Sequence, residues 1–315
     1  MKLINSKTCF SFIAFCVLTV VLLSCKATEE EINAADYSCK VLPAFIKNTG
    51  LDPARSAFST SEVRTMGLVL KEFSLQASTA SAKIYQHPSW KKGGWLSPIQ
   101  IDRFGNVFTA PAPFISVLDN PVQKQNTIYK ISSTDGIMTE FMQLPLPDIN
   151  DHRNPYGILG LAYNCKENIL YVSSVAGSTA EKENGCLYAL DLEKKKKVDE
   201  VKGKDFFGIQ LVVADDKLQL LSGSTRNADI YAIKITNNGT FGSSPQKIAS
   251  IEGLGSRGDD KVRKIIFKNP DAIQVKGLEF NYNLIAPTEK QESLYEFYFD
   301  IETKQWILKV NNTPK

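Results

Sequence analysis

From about Leu96 to the C-terminus, apolar and polar positions alternate in short runs rich in Ile, Val, Tyr and Phe. Clusters of Gly, Asn and Asp separate the runs. A period of two marks a strand with one face buried, and no stretch with the spacing of an amphipathic helix interrupts the series. The runs fall into fours. The first group reads SPIQID, VFTAPAPF, NTIYKIS and IMTEFMQL; the second GILGLAYN, ILYVSSV, GCLYALDL and KVDEV. The third reads FGIQLVVA, LQLLSGS, DIYAIKI and QKIASI, and the last, less regularly, KVRKIIF, AIQVKGLEF, SLYEFYF and QWILKV. The turns at Arg103–Asn106, Thr134–Gly136, Cys165–Asn168, Asp215–Lys217 and Asn237–Gly239 carry residues that tolerate tight reversals.

One position ties the groups together. Tyr129, Tyr188, Tyr231 and Tyr295 each follow an Ile or Leu in the third run, at intervals of 59, 43 and 64 residues. Propeller blades repeat at about 40–50 residues, and each blade is too small to bury its own faces. The pattern therefore predicts an all-β fold, a β-propeller of four-stranded blades, with a β-sandwich as the competing architecture. The earlier segments GLVLKEF (67–73) and AKIYQH (82–87) predict a further blade or a closing strand, for five or six blades. GLAYNCKENILYVSS and NTIYKISSTDG resemble blades of the NHL and gluconolactonase-like (TolB-like) propellers.

Turns joining strands one–two and three–four of a meander lie on one face of a propeller; two–three loops and inter-blade connections lie on the other. Here the first class is short. The second includes Pro88–Trp95, Pro111–Gln125, Pro147–Asn154, Gly177–Gly185, Ser222–Asn227 and Glu252–Asp260. Loops on a rigid scaffold carry most binding groups, so the functional face is expected to be the long-loop one.

The N-terminus reads differently. Lys2 and Lys7 precede an uncharged run, Phe10–Leu23, too short for a membrane span of roughly 20 residues but suited to a signal peptide. Leu22-Leu23-Ser24-Cys25 resembles a bacterial lipobox, which implies cleavage before Cys25 and a diacylglycerol on its sulfur. Lys26-Ala27-Thr28-Glu29-Glu30-Glu31 resembles the acidic signals of surface lipoproteins. The expected organisation is a signal peptide over 1–24, a lipidated cysteine with its lead-in over 25–60, and the propeller over 61–315. The expected location is the cell envelope, lipid-anchored in the outer membrane and surface-exposed.

A formal charge of +3, with one lysine run in the turn Lys194–Lys197, argues against a nucleic-acid partner. Beyond Cys25 the body holds Cys39, Cys165 and Cys186, enough for one disulfide, with Cys39 free to pair with either of the others. Cys165 and Cys186 themselves belong to opposite ends of one blade and are expected not to pair. With His87 and His152 as the only imidazoles, an ordinary zinc site is not expected.

Candidate ligand-binding residues on the long-loop face are Trp95, Asp151, His152, Arg153 and Arg226, supplemented by Trp90 and Arg257. No cofactor is predicted outright; Asp148, Asp151, Asp259 and Asp260 are candidate Ca²⁺ ligands. Two functions compete. One is a binding module for a glycan, a peptide or an envelope protein. The other, implied by the resemblance, is a metal-dependent lactonase or hydrolase with a divalent ion on the propeller axis. This chain has Leu96-Ser97-Pro98 where such enzymes have Glu-Gly-Pro, and Pro270-Asp271-Ala272 where they have Pro-Asp-Gly.

Overall fold

The computed structural model describes residues 37–39, 41–60, 65–73, 83–114, 117–146, 154–284 and 292–309. Blade I is a three-stranded sheet of β1 (Ser56–Ser59), β2 (Val69–Glu72) and β3 (Ile84–Tyr85). Four four-stranded antiparallel meanders follow. Blade II comprises β4 (Leu96–Ile101), β5 (Val107–Pro111), β6 (Thr127–Ile131) and β7 (Met138–Gln143). Blade III comprises β8 (Ile158–Asn164), β9 (Ile169–Ser174), β10 (Cys186–Asp191) and β11 (Lys196–Lys202). Blade IV comprises β12 (Phe206–Ala214), β13 (Lys217–Ser224), β14 (Asp229–Lys234) and β15 (Gln246–Ser250). Blade V comprises β16 (Lys261–Asn269), β17 (Ala272–Leu278), β18 (Ser293–Asp300) and β19 (Gln305–Leu308).

The fold is thus a five-bladed β-propeller, and the four repeating tyrosines all stand on third strands: β6, β10, β14 and β18. The sandwich alternative falls, because each meander is a separate sheet stacked on the next. Inner strands β4, β8, β12 and β16 stand side by side. Two glycines set how closely. A side chain begun at Gly160 would meet the Phe207 carbonyl oxygen at 2.6 Å, and one at Gly208 would meet the Arg263 carbonyl oxygen at 2.4 Å. Neighbouring inner strands therefore touch backbone to backbone at this level.

Apolar side chains fill the interfaces between blades. Phe108, Ile128, Leu170 and Val172 join II to III; Tyr171, Leu187, Leu220 and Ile233 join III to IV; Leu221, Ile230, Val275 and Phe297 join IV to V. Burying such side chains stabilises the fold by roughly 1.5–3 kcal/mol each. Blade III has neighbours on both sides, so β9 and β10 are buried throughout and read as near-continuous apolar runs. Blade V reads differently. In β17, Ile273 and Val275 are buried toward blade IV while Gln274 and Lys276 point the other way. Tyr298 and Leu294 on β18 are likewise exposed. Among the described residues no apolar cluster joins blade V to blade I.

Blade I is covered through blade II instead. In chain order, a 3-10 turn at Pro88–Gly93 stands where a fourth strand would come. Its Trp90 is fully buried among Phe45, Leu70, Tyr129 and Met138, and the indole Nε1 donates to the Gly136 carbonyl at 2.8 Å. His87 caps that turn, its Nδ1 accepting from the Ser89 backbone N–H at 3.2 Å.

The lead-in expected over 25–60 contributes β1 and a segment, Tyr37–Cys39, that lies under the axis on the short-turn face. Cys39 forms a disulfide with Cys165, the first residue after β8, at a Cα–Cα distance of 5.6 Å. Cys186 is free and buried, so Cys165 and Cys186 do not pair, as the strand assignment required.

Candidate functional site

Among the described residues of the long-loop face, one group of side chains is aromatic. Tyr156 precedes β8, Phe207 is the second residue of β12, and Phe280 and Tyr282 follow β17. These positions all belong to the same end of their blades. The Phe280 ring lies 5.5 Å from Tyr156, 5.0 Å from Phe207 and 5.2 Å from Tyr282, between centroids. A residue of blade V thus reaches over the start of the blade IV inner strand to touch the lead-in of blade III. The Phe206–Phe207 pair shows how alternation builds this: Phe206 is buried between blades, so its neighbour turns outward and stays partly exposed. Burial pushes the Tyr156 phenol above its ordinary value.

Beside the aromatic group lies a buried carboxylate. Asp205, in the short connection between β11 and β12, is fully buried at its side chain. Its Oδ1 accepts from Ser178 Oγ at 2.5 Å and the Gly185 backbone N–H at 2.8 Å. Its Oδ2 accepts from Arg226 Nε at 2.9 Å and the Tyr282 hydroxyl at 2.6 Å. Burial first, and the hydrogen bond to Asp205 second, raise the Tyr282 phenol far above its usual range.

Arg226 is consumed by this arrangement. Beyond its bond to Asp205, its two terminal nitrogens donate to the carbonyls of Ala180 and Thr179 at 3.0 and 2.8 Å. Its guanidinium lies 5.2 Å from the Tyr282 ring centroid. It clasps the 177–185 loop and offers little to an anionic ligand. β13 also runs to Ser224, so the loop expected over Ser222–Asn227 shrinks to a tight connection around Arg226.

Trp95 is partly exposed on the long-loop face. Its Nε1 donates to Asp119 Oδ2 at 3.1 Å, and its ring stands 5.4 Å from Phe114. Trp90, expected beside it, belongs to the core. Asp151, His152 and Arg153, with Asp148, lie outside the described residues, as does Cys25, so the five candidates are not brought together as a set. Asp260 is buried and accepts from the Tyr295 hydroxyl at 2.7 Å, while Arg257 pairs loosely with Glu279 at 3.5 Å. Among the described residues no three His, Cys, Asp or Glu side chains gather closely enough to hold a metal ion.

The positions where this chain departs from the lactonase pattern do not bring oxygen ligands together either. Leu96 is buried, Pro98 follows a cis peptide bond in β4, and Asp271 lies in the β16–β17 turn on the short-turn face. The described residues do not fit an axial divalent ion, and no catalytic step is derived through one.

Two cavities stand out. One of about 120 Å³ lies on the axis at the short-turn end, lined by Gln100, Tyr163, Gln210 and Phe267 and bounded by Tyr37–Cys39. Another of about 280 Å³ lies on the outer flank between β7 and the Lys195 turn. Neither opens on the long-loop face.

No protein-family model matches the sequence, and comparison with curated proteins gives no match. Solved structures similar to the chain include the xyloglucan-locus protein GH43B of Bacteroides ovatus, at 14% identity and a TM-score of 0.38 over 68% of this chain and 40% of that one. An exo-β-1,3-galactanase of Phanerochaete chrysosporium aligns at 8% identity and a TM-score of 0.43, over 77% of this chain and 56% of that one. A PQQ-bound aldose sugar dehydrogenase of Streptomyces coelicolor aligns at 13% identity and a TM-score of 0.40, over 73% and 71%. The chain therefore spans less than two thirds of the first two structures, and similarity at this level carries no activity across.

Proposed function

We propose that the chain is a cell-envelope lipoprotein whose propeller is a binding module, taking a glycan or peptide at the aromatic mouth of its long-loop face. The observation that carries this reading is the partly exposed Tyr156–Phe207–Phe280 group. Segments from three blades converge there, and all three rings keep part of their surface exposed. Aromatic faces favour flat apolar surfaces such as sugar rings and peptide side chains. The Cys39–Cys165 disulfide supports export, since such bonds persist in oxidising compartments.

A binding screen of glycans and peptides against the body lacking residues 1–25 tests the reading, with Phe280→Ala as the decisive variant. Binding should be lost in Phe280→Ala while the body stays folded at the assay temperature, the three lost ring contacts costing about 0.5–1.5 kcal/mol each. A ligand whose affinity is indifferent to Phe280 and Phe207, yet falls on substitution of Arg103 or Lys195 on the opposite face, refutes it.

A further inference from the structure

The face opposite the mouth has its own pattern. Tyr37–Cys39 emerge there against the axis, and the disulfide to Cys165 fixes the point of emergence. The chain then runs outward along blade II. Ala44 and Phe45 donate backbone N–H groups to Ser133 Oγ and the Ser133 carbonyl, in the β6–β7 turn. This brings Leu42 against the β4–β5 turn, where a side chain begun at Gly105 would lie 3.1 Å from the Leu42 carbonyl oxygen.

The residues so assembled are apolar and exposed: Val41 at 41%, Leu42 at 50% and Phe104 at 60%. Ile137, in the adjoining β6–β7 turn, is exposed as well. Cations frame them. Arg103 lies 5.2 Å from the Phe104 ring centroid and donates to the carbonyls of Cys165 and Lys166, and Lys166 lies 5.7 Å from the Tyr37 ring centroid. Large apolar side chains gathered at a face mark an interaction surface, and a rim of Arg and Lys matches the headgroup layer of a membrane.

We propose that the short-turn face rests on the bilayer through Val41, Leu42 and Phe104, flanked by Arg103 and Lys166, and that the aromatic mouth is held pointing away from the membrane. This inference rests on lipidation at Cys25. Eleven residues lie between that cysteine and Tyr37, a tether of at most roughly 40 Å when extended. A tether that joins the body on the axis of the short-turn face brings that face nearest the lipid. The apolar patch beside the junction then gains an environment that water does not offer. Insertion of a few side chains into the interface then fixes the orientation of the body on the bilayer.

The test uses the full lipidated protein on vesicles of phosphatidylethanolamine and phosphatidylglycerol. An environment-sensitive fluorophore is placed on Phe104→Cys, Val41→Cys or, on the long-loop face, Leu118→Cys, which replaces an 89% exposed side chain. The native body thiols do not compete, because Cys186 is buried and the other two are joined. Quencher-bearing lipids should dim and blue-shift the labels at 104 and 41 and leave the label at 118 unchanged. Vesicle-bound protein in which 118 is quenched, or in which 104 and 41 behave as 118 does, overturns the orientation while leaving the anchor in place. If instead Cys25→Ser protein binds vesicles as well as the unaltered protein, the lipidation reading itself fails and the orientation falls with it.

Discussion

Asp205 is the residue whose replacement most sharply tests how the long-loop face is built. Its carboxylate takes four hydrogen bonds, two on each oxygen, from Ser178, Gly185, Arg226 and Tyr282, and its side chain has no contact with solvent. Asparagine keeps one oxygen for Ser178 and Gly185 but turns an amide donor toward Arg226 Nε. Tyr282 adapts, since its hydroxyl lies 2.9 Å from Thr225 Oγ1 and can donate there while accepting from the new amide. The lasting loss is the charge-assisted bond to Arg226, whose side chain is 22% exposed and so partly rehydrated. Asp205→Asn should therefore cost about 2–3 kcal/mol.

Asp205→Ala removes both carboxylate oxygens, so Ser178 and Gly185 lose their acceptor and Arg226 loses its counter-charge while keeping the Thr179 and Ala180 carbonyls; this should cost about 3–5 kcal/mol. At roughly 2–4 °C per kcal/mol for a body of this size, the asparagine variant should melt roughly 4–12 °C lower. Urea unfolding measures both, and amide exchange at Gly185 should quicken as the 177–185 loop loses its clasp. Variants within about 0.5 kcal/mol of the parent, or asparagine costing more than alanine, would refute the reasoning.

Trp90→Ala should destabilise by about 3–5 kcal/mol in urea unfolding, as expected of an emptied core site, whereas Trp95→Ala should stay within about 0.5 kcal/mol. The disulfide closes 126 residues of chain, so the loop-entropy relation puts its contribution at up to about 5 kcal/mol. Reductant should lower the melting temperature of the parent and leave that of Cys39→Ser unmoved. The fold should also weaken in alkali: burial pushes the Cys186 thiol from 9.0 up to about 11 and the Tyr295 phenol from 10.0 up to about 12. Both are raised, so their contribution is fully present below pH 9 and lost as pH climbs through the folded values. Flat stability between pH 8 and 12 by denaturant titration would contradict those burials.

The meanders were legible because each strand obeys its local period and each third strand repeats one tyrosine. β1 was not, since Ser-Ala-Phe-Ser is too short to show alternation. Pro-Ser-Trp-Lys-Lys-Gly reads as a loop by composition, and only its contacts with Phe45 and Gly136 reveal that Trp90 belongs to the core. Arg226 reads as a free cation because nothing local shows Asp205 beneath it, twenty-one residues earlier in the chain. The choice of Cys165 over Cys186 for Cys39 depends on where an irregular lead-in crosses the axis, which no periodicity encodes. The aromatic mouth did leave a signal, the outward member of Phe206–Phe207, but its meeting with Phe280 follows from ring topology alone.

These placements bear on the kind of ligand the body can take. At the short-turn end the axis is bounded by Tyr37–Cys39, and at the long-loop end Phe280 overlies the start of β12 between Tyr156 and Phe207. Between the two ends, Gly160 and Gly208 bring neighbouring inner strands into backbone contact. A ligand seated deep on the axis would have to unstack several aromatic rings and part the sheets, losing contacts that hold adjacent blades together. One laid across the rim keeps the rings in place and gains their exposed edges, with Trp95 and Phe114 available on the blade II side. Rim binding of this kind would select on shape and stacking.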